Sequence, residues 1–448
     1  MTTGGAPLAE PTLSRVAVFD LRGRERPRAA GGPLARVCGL PVVVRSLLVL
    51  ERAGFTQALL MVHPEDRAGV AASLVSHRRL RLPWSIAEDA GESLAPAVGA
   101  LSDMGEHAQV LLWPATLSLG RRFPLPAACA APAGQVLLGM DPVGQCETGM
   151  VLADAAALRA RPHLSLPALL EELQGQGKCG SLVLAETPVA VVDRAAVATA
   201  ERALLRSLRK DADGVVAKFD RYLSLAISRR LMALPIKPNH VTIFAALVGI
   251  LCGLLTAQGG YGWMLFGALA FQANSILDGI DGEIARAKLL ESRLGQWLDT
   301  VSDDLSNLAF MVGVSIGCYR TWGSQLYLVL GGVAGGGFIV ASALMYHYII
   351  TRVHSGDLND FAMPWEEGAQ GKRDLSRRAQ GVFSRFLARI KCLVRRDAYV
   401  LACTLCGILG QLRIMVWLFA LGATATWTSI LAYRTLVPLF RRTGGQKA

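Results

Sequence analysis

Downstream of Val241 the chain is built from long uncharged runs, and this restricts its possible folds more than any other property. Tyr261 to Leu277 carries no charge, nor does Leu305 to Tyr319, and Arg413 alone interrupts Ala398 to Tyr433. Such runs predict helices that keep their backbone hydrogen bonds internal while crossing lipid. The first 210 residues differ, with charges recurring and no uncharged stretch as long as 20 residues. The 448 residues are therefore expected to form a soluble domain (1–210), a linker with one helix (211–238) and a membrane domain (239–440). The insertion at 351–396 is polar.

Six spans are predicted, at about 241–257, 261–284, 296–318, 325–350, 397–411 and 412–434. Lys and Arg crowd the segments before span one, between two and three, between four and five, and the C-terminal Arg441, Arg442 and Lys447. The opposite connections, Gln258–Gly260, Arg320–Ser324 and the turn near Arg413, hold almost none. The positive-inside rule then puts both termini on the cytoplasmic side of an inner or cytoplasmic membrane. A net charge of +11 suits an anionic leaflet, and no nucleic-acid module accompanies it. The first residues lack the apolar core of a signal peptide. The nine cysteines show no disulfide framework, and Cys403-Thr-Leu-Cys406, despite zinc-like spacing, lies in an apolar segment that favours packing.

Val215 to Leu234 mixes apolar and basic residues at helical spacing, which suits an interfacial amphipathic helix or a soluble one. Pro235 and Pro238 end it. Val382 to Arg396 is a second basic amphipathic stretch. Gly331 to Gly337 forms a small-residue stripe, serving either close helix packing or room for a substrate.

Four aspartates stand at the ends of two of the apolar runs: Asp278, Asp281, Asp299 and Asp303. Spacings of three and four project each pair from one helix face. Carboxylates beside lipid are costly unless neutralised, and an oxygen-only ligand set selects magnesium or manganese. An ion or proton pathway would also use such acids. It would not require Gly282, Ala285 and Arg286 between the pairs.

The segment resembles the signature of the CDP-alcohol phosphotransferase (CDP-alcohol phosphatidyltransferase) family, D-x2-D-G-x2-A-R-x8-G-x3-D-x3-D, and Asp278, Asp281, Gly282, Ala285, Arg286, Gly295, Asp299 and Asp303 fill every fixed position. Pro238-Asn239-His-Val-Thr242 and the helix before it resemble the start of the same domain. The resemblance implies displacement at phosphorus: an acceptor hydroxyl attacks a CDP-alcohol and CMP leaves. It implies two divalent cations, Mg2+ or Mn2+, on Asp278, Asp281, Asp299 and Asp303, with Asp303 shared as ligand or serving as base, the role the family favours. Gly282, Ala285, Arg286, Gly295, Asn239 and Thr242 are then the CDP-alcohol contacts, and a homodimer is the implied assembly. Arg395 and Arg396 face the same side and suit an anionic acceptor such as inositol phosphate, or act as ordinary cytoplasmic anchors.

The N-terminal half reads as α/β, with strands at Val16–Phe19, Ala58–Val62, Val110–Trp113, Val136–Leu138 and Val189–Val192 and a helix at 42–53. It is similar to a sugar-phosphate nucleotidyltransferase domain, as in bifunctional inositol-phosphate cytidylyltransferase/di-myo-inositol-phosphate phosphate synthases. Pro41 to Gly54 and Ala200 to Gly214 carry that likeness. Its catalytic parts are missing. After the first strand comes Asp20-Leu-Arg-Gly-Arg rather than a glycine-rich loop, Pro114-Ala115 stands where an aspartate belongs, and Asp193 alone matches a metal ligand. The expected function is transfer of a substituted phosphate in phospholipid or inositol-phosphate biosynthesis, with an inactive N-terminal domain. The alternatives are a bifunctional cytidylyltransferase/phosphotransferase and an ion-coupled transporter.

Overall fold

The computed structural model describes residues 15–22, 32–101, 108–114, 117–118, 129–208, 215–353 and 396–444, less positions 78, 90, 92, 146, 187 and 192. The chain divides into two compact units, Met1–Leu208 with Ala287–Leu289, and Arg209–Arg286 with Leu290–Ala448. Residues 354–395 of the insertion, including Arg395 and all of the second basic stretch but Arg396, lie outside the described residues.

Among the described residues the first unit has eleven strands: β1 Arg15–Asp20, β2 Arg36–Val37, β3 Leu40–Pro41, β4 Gln57–Val62, β5 Trp84–Glu88, β6 Gln109–Pro114, β7 Leu117–Ser118, β8 Val136–Met140, β9 Glu147–Asp154, β10 Cys179–Val183 and β11 Val189–Ala190. Seven of them form one sheet in the order β10-β8-β9-β6-β1-β4-β5. Pairing is parallel except for β9, which runs antiparallel between β6 and β8. β1 is buried from Val16 to Phe19 without alternation, as a strand covered on both faces must be. Ala17, Phe19, Leu60 and Trp113 face one core, with Val43, Leu47 and Leu50 of helix α1 (Val42–Arg52). Val16, Val18, Leu59, Val110 and Leu112 face the other, with Leu169 and Leu173. The remaining helices of this unit are α2 Arg67–Ser76, α3 Ala95–Ala100, α4 Ala155–Arg159, α5 Leu166–Gly175 and α6 Arg194–Ser207.

The second unit is helical: α7 Val215–Met232, α8 Pro238–Ala257, α9 Tyr261–Ala287, α10 Arg293–Trp322, α11 Leu326–Tyr348, α12 Arg396–Ile408 and α13 Arg413–Gly444. Among the described residues two helices are long and apolar enough to cross a membrane, Pro238–Ala257 and Leu326–Thr351, and Ala398–Ile408 is a shorter apolar one. α8 and α10 meet backbone to backbone. A Cβ added at Gly253 would strike the Ala309 carbonyl, one at Gly313 the Gly253 carbonyl, and one at Gly317 the Thr256 carbonyl. Phe271 of α9 stacks on Phe310 of α10 with ring centroids 4.0 Å apart. The glycine stripe on α11 does two things at once. Gly331 packs against Ser315, whereas Gly332 and Gly336 meet nothing and line an apolar groove with Leu308, Val312 and Ile339. Cys403 and Cys406 are free thiols, Cys403 fully buried among apolar neighbours.

Candidate active site

Three of the four aspartates converge. Each of Asp278, Asp299 and Asp303 offers a carboxylate oxygen, and these oxygens lie within 4.8 Å of one another. The helices explain the convergence. Asp278 stands near the C-terminal end of α9, Asp299 and Asp303 stand on the second and third turns of α10, and a short turn joins the two. Leu289 adopts a left-handed φ of 54° in that turn. Ser292 then caps α10, its Oγ accepting from the Gly295 amide at 3.0 Å.

Asp281 lies outside that triplet. It is 4 % exposed, and Thr242 Oγ1 donates to its Oδ2. Thr242, expected among the CDP-alcohol contacts, thus orients one of the four carboxylates. Gly282 keeps the adjoining surface low, because the Arg286 guanidinium lies across it and an added Cβ would sit 3.0 Å from Nη1. At Gly295 an added Cβ would approach Ser292 Oγ at 3.1 Å and Asn239 Oδ1 at 3.6 Å. Asn239, Gly295 and the first turns of α8 and α10 therefore share one neighbourhood. Asp304 points away and accepts from Tyr346 Oη at 2.5 Å.

Arg396, which the sequence assigned to an acceptor, reaches into the carboxylates. Its Nη1 donates to Asp278 Oδ2 at 2.8 Å and also contacts Asp303 Oδ2. Its Nε and Nη2 are buried without a partner, as is Oδ1 of Asp299. Buried polar atoms are ordinarily satisfied, so these orphans mark positions that await a ligand. An all-oxygen cluster with an idle, buried carboxylate oxygen fits a hard divalent cation. The idle Nε–Nη2 edge is the fork that matches a phosphate. One turn before Asp278, Asn274 is 1 % exposed and its Oδ1 is also unpartnered. Sequence reading missed it, and the i−4 spacing from Asp278 was the available signal.

The first unit arranges its acids differently. Arg22, just past β1, gives Nε and Nη2 to Asp20 at 3.0 and 3.2 Å and Nη1 to Asp89 at 2.5 Å and to the Ser93 carbonyl at 2.9 Å. Asp193 accepts from the Ala196 amide at 2.6 Å as the cap of α6.

Comparison with known proteins agrees with the motif. Residues 236–359 match the sequence pattern described as CDP-alcohol phosphatidyltransferase. The chain is 30% identical over 161 residues to the bifunctional IPC transferase and DIPP synthase of Archaeoglobus fulgidus, covering 34% of this chain and 32% of that one. It is 32% identical over 111 residues to the protein of that name from Aquifex aeolicus, covering 25% of each. Archaetidylinositol phosphate synthase of Pyrococcus horikoshii is 29% identical over 106 residues, 23% of this chain and 54% of that one. The matched stretch thus spans a quarter to a third of the bifunctional relatives' length. Among solved structures, 4-diphosphocytidyl-2C-methyl-D-erythritol synthase of Anaerococcus prevotii overlaps 43% of this chain and 99% of its own, with 11% identity and a TM-score of 0.32. The pattern match contains all eight fixed positions of the motif.

Proposed function

We propose that this chain moves a substituted phosphate from a CDP-alcohol to an acceptor hydroxyl and releases CMP. The observation that carries the reading is the Asp278–Asp299–Asp303 cluster, three carboxylates within 4.8 Å, inside the matched family domain. Two Mg2+ or Mn2+ ions held by these residues and Asp281 would supply charge neutralisation for the pyrophosphate and the leaving CMP. The chain's own side chains do the rest. Thr242 keeps Asp281 in one rotamer, Gly282 and Ala285 let the nucleotide lie close, and Arg286 offers its fork to phosphate. Asp303 accepts the hydroxyl proton of the acceptor. Arg396, with Arg395 beside it in sequence, receives an anionic acceptor such as inositol phosphate through its idle Nε–Nη2 edge. The names of the relatives favour an inositol-containing substrate. The domain sits in an inner or cytoplasmic membrane as six spans, its site facing the cytoplasm beside both termini, and works as a homodimer.

The first unit is read as a nucleotidyltransferase-like domain without activity. A bifunctional enzyme is the second reading, and the relatives' names favour it. The saturated Arg22 cluster speaks against it. The test is CMP release by the full chain in nanodiscs, with CDP-diacylglycerol or CDP-inositol and a panel of alcohols that includes inositol phosphate. Divalent-dependent CMP release with one acceptor is expected. Solute flux across the bilayer without CMP would sink the reading in favour of transport.

A further inference from the structure

The α7 helix sits on α9 through polar groups. Ser224 Oγ donates to Glu283 Oε1 at 2.6 Å, Ser228 Oγ donates to Oε2 at 2.7 Å, and Arg221 Nη1 stands 3.4 Å from Oε1. Farther along, Gln272 Nε2 donates to both oxygens of Asp220 at 2.9 and 3.1 Å, and Gln272 Oε1 accepts from Thr404 of α12 at 3.2 Å. Glu283 is wholly buried, Ser228 likewise, and Ser224 is 2 % exposed. Tyr222 and Leu223 point outward instead, 68 % and 41 % exposed. The helix thus buries a polar stripe, with Leu225 and Met232 beside it, and exposes Tyr222 and Leu223 together with Arg229 and Arg230, as suits a lipid interface.

Glu283 fills one of the two unspecified positions between Gly282 and Ala285 of the motif. At about 100° per residue, Gln272, Gly279 and Glu283 form one stripe on α9, roughly 130° round from Asp278, Asp281, Gly282 and Ala285. Ser224 bridges that stripe across the metal pair. It bonds Glu283, two residues after Asp281, and lies against Gly279, one residue after Asp278, where an added Cβ would be 3.4 Å from its Oγ.

A buried carboxylate held by two hydroxyls and one guanidinium is an expensive way to join two helices. An apolar residue of similar volume is often as stabilising or more so. What the polar seat adds is register, because each carboxylate oxygen takes one hydroxyl and neither slide nor rotation keeps both. We propose that Glu283 is a positioning residue: seated on Ser224, Ser228 and Arg221, it sets the orientation in which the Asp278–Asp281 turn receives metal and nucleotide. This rests on the phosphotransfer reading of the aspartate site.

The test uses the full chain in nanodiscs, with Mn2+ affinity and its electron paramagnetic resonance spectrum, binding of CDP, and thermal unfolding. The variants are Glu283→Leu, Glu283→Gln and the pair Ser224→Ala with Ser228→Ala. Glu283→Leu should unfold no lower than the parent, yet bind Mn2+ roughly tenfold more weakly with an altered spectrum. Glu283→Gln keeps one acceptor oxygen and should recover most of that loss. The serine pair, which leaves Glu283 in place, should reproduce the weakening and decides the matter where the leucine variant does not fold. Parental Mn2+ affinity and spectrum in the folded serine pair would overturn the proposal, leaving the seat a structural joint. Failure of the phosphotransfer reading shows differently: the parent protein itself would take up neither Mn2+ nor CDP.

Discussion

Two arginines meet two pairs of aspartates in this molecule, and they are used in opposite ways. Arg22 engages Asp20, Asp89 and a carbonyl through all three of its nitrogens. Arg396 touches Asp278 and Asp303 through Nη1 alone and leaves Nε and Nη2 buried and idle. Both clusters stand where ligands are commonly taken. One lies past the C-terminal ends of parallel strands, the other at the ends of apolar helices. A saturated cluster has no valence left for a substrate, whereas an unsaturated one carries an unmet desolvation cost that a ligand relieves. The difference separates an arginine engaged by its own neighbours from one with a donor edge to spare.

The comparison breaks most visibly at the aspartates. Asp278→Asn and Asp299→Asn should each abolish CMP release and Mn2+ binding without lowering the unfolding temperature, and normal turnover in either would remove that residue from the site. Asp303→Asn should cut turnover by roughly 100-fold or more while CDP-alcohol still binds at saturating magnesium. Equal losses of affinity in the Asp303 and Asp299 variants would make Asp303 a ligand rather than a base. A smaller effect is expected at Thr242→Val, which frees Asp281 to rotate. Mn2+ affinity, read by calorimetry, should fall about tenfold. The smallest effect on activity belongs to the closed cluster. Arg22→Met should leave CMP release unchanged and lower the stability of the first unit by about 1–3 kcal/mol, measured by denaturant unfolding. With CTP and inositol phosphate the full chain should form no pyrophosphate. Pyrophosphate that vanishes in Asp193→Asn would reopen the crevice as a second active site.

Much of the molecule was legible because its signals are local. The apolar run at Val16–Phe19 marks β1, and the turn residues around Gly54 end α1 where expected. Strand β9 was missed because Glu147, Thr148 and Gly149 dilute its apolar half and because it enters antiparallel between β6 and β8, a pairing fixed only by the assembled sheet. Of the expected strand at Val189–Val192, Val189–Ala190 forms β11 and pairs with the two-residue β7, and Val192 lies outside the described residues. In the site, spacing located the aspartates but not their partners. Arg396 lies 118 residues from Asp278 and Thr242 lies 39 from Asp281, so both pairings are products of helix packing. For α7 the periodicity marked the helix but not the composition of its inner face. Asp220, Ser224 and Ser228 recur at i, i+4 and i+8, a polar stripe overshadowed by the basic residues around it.

That inner face has a thermal consequence. Releasing α7 from α9 would hydrate two carboxylates, two hydroxyls and an amide along with Leu225 and Met232. Hydration of polar surface lowers the heat capacity while that of apolar surface raises it, so the two contributions oppose each other. The docking free energy of α7 therefore curves less with temperature than burial of apolar surface alone would make it. A joint held this way is weakened less on cooling than one made by apolar burial alone.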